Sequence, residues 1–116
     1  MRLSPRNTIA VNPTIIHETY HTLVYGQKWV PSIAKDRLQL ILRHPHVEFH
    51  NQTKIVSNVA LNLAVRFSLG GRDALILANY LVNRVSRMFT HDSELLKMRK
   101  VTWRDQSLRL EDPLTK

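Results

Sequence analysis

The chain has 116 residues, of which 43% are hydrophobic and 22% charged, a composition that suits a folded domain with a buried core and excludes a disordered segment. It has no cysteine, which excludes disulfides and thiolate zinc sites and is compatible with a reducing cytoplasm. Seventeen lysines and arginines against nine acidic residues give a formal charge of +8, which favours RNA or another polyanion as partner. The apolar runs are far shorter than a membrane span, so no membrane association is predicted.

Helical and strand patterns alternate along the chain. Asn12 and Pro13 are favourable at the cap and first turn of a helix, and Gly26 is favourable after its end. The predicted strands cover residues 8–11, 46–50, 86–90 and 100–103. The predicted helices cover 13–25, 31–44, a long segment that starts at Asn51 or Thr53 and ends before Gly70, 72–82 and 93–98. Because strands that alternate with helices form parallel sheets, we expect one α/β domain over residues 1–116, with a loose polar tail over 104–116.

Two aspartates lie at the ends of predicted elements in the second half. Asp73 stands at the head of the apolar helix 72–82, and Asp92 follows the strand that ends at Thr90. A helix start and a strand end share one rim of an α/β sheet, so we expect the two carboxylates to converge. Carboxylates that converge without a cation repel each other and suit a hard divalent ion such as Mg²⁺. Taken singly, each aspartate is better explained as a solvated cap or turn residue, whereas the pair favours a metal site.

This region resembles the second half of the PIN-domain nucleases, especially the toxins of the VapC type. The resemblance is carried by Gly71, by Asp73-Ala74-Leu75-Ile76 and by Thr90-His91-Asp92. Further motifs upstream, Ala10-Val11-Asn12-Pro13 and Ile15-Ile16-His17-Glu18, resemble the family's second strand and the acidic residue that opens its next helix. Each motif is weak evidence alone. Together, their order and spacing over residues 8–103 make a strong match to the family.

The resemblance implies a three-layer sandwich in which helices cover a parallel sheet. It also implies an endoribonuclease that hydrolyses RNA with Mg²⁺ or Mn²⁺ and is inhibited by an antitoxin protein. Asp73, Asp92 and Glu18 would be its metal-binding and catalytic carboxylates. Thr90 would fix the strand end beside Asp92. Arg72 would hold a substrate phosphate or remain a solvated cation at the helix start.

The family's first strand, which is central in its sheet and ends in a metal-binding Asp, has no counterpart, since no acidic residue precedes Glu18. We expect either a true start upstream of Met1 or a remnant with impaired activity. Without that strand, the strands at 8–11 and 87–90 would each lack a neighbour, so an aggregation-prone chain or an obligate homo-oligomer is expected. Supplying the strand should restore activity and stability. The alternative function is a catalytically silent module that binds an antitoxin-like partner or pairs with itself.

A competing motif lies in the first predicted helix. His17-Glu18-Thr19-Tyr20-His21 matches the HExxH pattern, in which two histidines one turn apart bind zinc and the glutamate activates water. A third ligand would have to come from Glu48 or from one of His44, His46 and His50. The nuclease resemblance explains Glu18 without zinc and also explains Asp73 and Asp92, so a zinc hydrolase is the remote alternative.

Overall fold

Helices alternate with short strands in the structure, a computed structural model that describes residues 3–113. The strands are β1 (Ile9–Val11), β2 (Val47–Phe49), β3 (Arg87–Phe89), β4 (Lys100–Trp103) and β5 (Gln106–Glu111). The helices are α1 (Pro13–His21), α2 (Pro31–Arg43), α3 (Lys54–Phe67), α4 (Gly71–Val82) and α5 (Ser93–Met98), with a π-helical segment, Thr22–Gly26, directly after α1. The predicted α/β class is therefore confirmed only at this coarse level. Residues up to Gln52 and from Thr53 onward form two compact units, described in turn, and the single domain over 1–116 stays a prediction.

The first unit places helices α1 and α2 with the parallel pair β1–β2, in which Ile9 lies opposite Val47. Helix α1 begins as predicted. The Oδ1 atom of Asn12 accepts a hydrogen bond from the N–H of Ile15 at 3.0 Å, and proline at the first position has no N–H to satisfy. Helix α2 packs on α1 and β2 with a narrow apolar stripe, because only Ala34 and Leu38 are buried along it.

The second unit is built around α4, which is buried on nearly every side, as its uniformly apolar sequence predicts. Helix α3 packs along α4, and the fully buried side chains Val56, Leu63, Leu77 and Leu81 fill the space between them and their neighbours. The sheet of this unit has the strand order β3-β5-β4, and β5 packs against α4. The core of the second unit therefore lies between the α3–α4 pair and the middle of this sheet.

The segment after Trp103 corrects two predictions. Residues 104–116 were expected to form a loose tail, but Gln106–Glu111 is the central strand of its sheet, with Leu108 and Leu110 buried. It pairs in parallel with β3 and antiparallel with β4 through a two-residue turn. The sheet is therefore mixed rather than parallel, because consecutive strands joined by a tight turn must run antiparallel. Residues 114–116 of the predicted tail lie outside the described residues.

Tyr80 on α4 gives the second unit a pH-dependent stability. Burial raises the pKa of its phenol to about 12. An unfolded tyrosine ionises near pH 10, so between about pH 10 and 12 the unfolded chain loses a proton that the folded chain keeps. The free energy of unfolding should then fall by about 3 kcal/mol across this window and be unaffected below it. Urea unfolding from pH 8 to 12, compared with Tyr80→Phe, isolates the effect from other groups. A difference between the two proteins that is constant over this range would contradict it.

Candidate functional site

Asp92 caps helix α5 directly after β3. Its Oδ1 atom accepts hydrogen bonds from the N–H groups of Glu94 at 2.9 Å and Leu95 at 3.2 Å. The Thr90 hydroxyl oxygen accepts a hydrogen bond from the N–H of Asp92 at 3.1 Å, and the N–H of Thr90 donates to the carbonyl of Glu111 at 3.0 Å. The predicted contact between Thr90 and Asp92 is thus confirmed, and it ties the aspartate to the end of the sheet. The other carboxylate oxygen of Asp92 makes no hydrogen bond within residues 3–113, and the side chain is exposed.

Asp73 lies in the first turn of α4, where its negative charge is favoured by the exposed N–H groups of the helix start. The alternative that Asp73 itself caps the helix is wrong, because Gly70 occupies the cap position. The carboxylate is half-buried and has no hydrogen-bonding partner among the described residues. Arg72, its neighbour in the chain, is exposed. The backbone of Asp73 is therefore held in the helix, and its carboxylate is available to bind a ligand.

Glu18 lies on α1 in the first unit, where the residue is half-buried and its Oε2 atom is buried. This Oε2 atom has no hydrogen-bond partner in the part of the chain that the structure describes, and the same holds for Nδ2 of Asn12, a fully buried side chain. A buried polar atom without a partner costs about 1–3 kcal/mol, and more when the group is charged. Glu18 is thus a carboxylate whose environment favours an added cation or donor. Sequence reasoning identified Asn12 only as a helix cap, because nothing local signals its complete burial.

The donor atoms fit a hard divalent cation in type. Glu18 and Asp92 each have a carboxylate oxygen without a protein partner, and Mg²⁺ and Mn²⁺ prefer carboxylate oxygens. Among residues 3–113, no three His, Asp or Glu side chains are grouped closely enough to hold a metal ion by themselves. Convergence of Glu18, Asp73 and Asp92 on one metal therefore stays a prediction.

The histidines of the HExxH motif are surface residues in the structure. His17 and His21 are exposed on α1, and the ring of His21 lies 4.9 Å from that of Tyr25. Three of the four side chains considered as a third ligand also have local partners. The Nδ1 atom of His44 accepts a hydrogen bond from the N–H of His46 at 3.1 Å, and Nε2 of His50 lies 3.3 Å from Oε1 of Glu48. These contacts are those of ordinary turn and strand side chains, and they do not require a bound zinc ion.

Comparison with known proteins adds no relative: no protein-family model matches the chain, and no curated protein is significantly similar to it. Within residues 3–113, no helix has both the length and the apolar character needed to cross a membrane. The resemblance to PIN-domain nucleases therefore rests on the sequence motifs and stays a prediction.

Proposed function

We propose that the chain is a divalent-metal-dependent endoribonuclease of the PIN-domain type, in which Glu18, Asp73 and Asp92 hold Mg²⁺ or Mn²⁺. The observation that carries the proposal is the arrangement at the end of β3. Thr90 fixes the backbone of Asp92 there, and one oxygen of the Asp92 carboxylate is left without a protein partner. A metal ligand needs this combination of a rigid backbone and an available oxygen.

The strand pairings support the finer proposal of a PIN-like three-layer sandwich. The pairs β1–β2 and β3–β5 are both parallel, and helices connect β1 to β2 and precede β3, as in a parallel sheet covered by helices. The proposed sandwich includes a further central strand beside β3. Within the described residues β3 pairs only with β5, so its other edge is open to such a strand.

The chemistry follows from what each side chain offers. Bound Mg²⁺ would polarise the scissile phosphodiester and lower the pKa of a water molecule. Asp73 and Asp92 would hold the ion, directly or through water, and Glu18 would orient the attacking water. Arg72, which is exposed and precedes Asp73 in the chain, would hold a substrate phosphate. The formal charge of +8 would raise the local concentration of RNA around the protein.

Asp73→Asn provides the direct test. The whole chain, incubated with a labelled single-stranded RNA, should cleave it slowly with Mg²⁺ and not in EDTA. Asp73→Asn should lower this rate by about 100-fold or more, since it removes a charged ligand worth several kcal/mol. Asp36→Asn is the matched control, because Asp36 is an exposed residue of α2 paired only with Lys35. Cleavage that persists in EDTA, or equal rates for both variants, would overturn the proposal.

A second candidate is a silent interaction module, favoured by the exposed apolar side chains of α2. Four of these side chains have between 41% and 57% of their surface exposed: Ile33, Leu40, Ile41 and Leu42. An apolar patch of this kind is typical of a surface that binds another protein, here an antitoxin-like partner or a second copy of the chain. The cleavage assay separates the two functions, because a silent module shows no metal-dependent cleavage in any variant.

A further inference from the structure

We propose that a cavity in the second unit binds one nucleotide of single-stranded RNA. The cavity measures about 250 Å³ and lies between α3, the end of α4 and the turn that joins β4 to β5. None of the three proposed catalytic carboxylates lines it. The inference takes RNA as ligand from the proposed function and adds a substrate contact separate from the cleavage site. The volume is below the range of about 300–1,000 Å³ typical of drug-sized ligands, so it suits one nucleotide rather than a stacked run.

The cavity is lined by an aromatic side chain and by apolar ones. Trp103 is the last residue of β4 and is half-buried, and the buried residues Val59 and Leu81 also line the cavity. Tryptophan offers a large flat surface on which any nucleobase can stack, whatever its sequence. A half-exposed tryptophan beside an open cavity therefore favours a planar ligand over an aliphatic one.

Two arginines give the cavity its charge. Arg84 and Arg104 line it, and neither forms an ion pair with any residue between 3 and 113. Arg87 in the same unit is different, because its guanidinium is held by the Glu111 carboxylate at 3.1 Å. Asp105 is the acidic residue at the cavity, so the lining has a net charge of +1 from two arginines and one aspartate. Uncommitted guanidinium groups match phosphate oxygens with paired N–H donors.

Side-chain amides complete the lining. Asn58 and Asn62 lie one turn apart on α3, and Nδ2 of Asn62 donates to the carbonyl of Asn58 at 3.1 Å, which leaves its Oδ1 as an acceptor. The amide of Asn58 has no protein partner in the described part of the chain. Amides present donors and acceptors side by side, as the edges of nucleobases do. The cavity therefore combines a stacking surface, cations and amides, which are complementary to the base, the phosphate and the base edge of a nucleotide.

The fluorescence of Trp103 tests the proposal directly. The chain has two tryptophans, so Trp29→Phe leaves Trp103 as the only one. Titration with a single-stranded RNA tetranucleotide in EDTA, which removes the metal that cleavage requires, should quench this fluorescence to saturation. Arg104→Ala and Arg84→Ala should each weaken binding by about tenfold. Arg109→Ala is the matched control, because Arg109 is exposed on β5 and does not line the cavity, and it should change affinity less than about twofold.

Three results would overturn the proposal. These are no quenching, equal losses for Arg104→Ala and Arg109→Ala, and quenching by 5′-AMP as tight as by the tetranucleotide, which would indicate a free mononucleotide instead. The measurement is independent of cleavage, because EDTA removes the metal on which cleavage depends. Cleavage without quenching would defeat this inference and keep the proposed function, whereas quenching without cleavage would do the reverse.

Discussion

Leu108→Ala should lower the free energy of unfolding by about 2–5 kcal/mol, the range for truncating a fully buried leucine. The side chain has no exposed surface and belongs to β5, which lies between β3 and β4 and packs on α4. Removal of three carbon atoms would leave a cavity that strands held on both sides cannot easily close. The measurement is urea unfolding at neutral pH, followed by circular dichroism.

The neighbouring residue supplies the control. Arg109 is exposed on the opposite face of the same strand, so Arg109→Ala should change the free energy of unfolding by no more than about 0.5 kcal/mol. Similar small effects of both substitutions would mean that Leu108 does not lie in the core and that β5 is not the centre of the sheet.

Asp92→Asn should abolish RNA cleavage and leave the fold nearly unchanged. Asparagine caps a helix as well as aspartate does, so the hydrogen bonds to Glu94 and Leu95 can be kept while the carboxylate is lost. Loss of the charge near the start of α5 should cost only about 0.3–1 kcal/mol. If Asp92 is a metal ligand, the cleavage rate should fall by about 100-fold or more.

Asp92→Ala then separates the two roles. Alanine removes the cap as well as the charge. It should lower the free energy of unfolding by a further ~0.5–2 kcal/mol, with the same loss of cleavage. Thermal unfolding and the labelled-RNA assay, run on both variants, distinguish the outcomes. If Asp92→Asn cleaves RNA at the unaltered rate, the carboxylate serves only as a cap, and the metal assignment at the end of β3 fails.

The features that sequence predicted correctly are local ones. Asn12 and Thr53 cap α1 and α3 because each side chain reaches an N–H three residues further along the same chain. The contact between Thr90 and Asp92 spans two residues and was equally accessible to sequence reasoning. The first predicted helix also ends at Gly26, although its last turn is π-helical rather than α-helical.

The missed features depend on residues distant in sequence. Leu108 and Leu110 alternate with polar residues over too short a run to stand out, and β5 is stabilised by the two strands beside it. The turn before β5 lacks the glycine or asparagine that usually signals a hairpin, and Arg104 adopts a φ of 55° there. The cavity beside Trp103 is formed by α3 and this turn, which are distant in sequence, so no local motif could reveal it.

The central position of β5 makes the sheet of the second unit an all-or-none assembly. In the described part of the chain, β3 and β4 pair with β5 and not with each other, so neither has a partner until Gln106–Glu111 is in place. The pairing of β3 with β5 is also non-local, since Arg87 lies opposite Arg109 and must wait for the closure of the intervening loop. The strand ends that hold Thr90 and Trp103 should therefore become ordered in the same step, because both depend on the arrival of one strand.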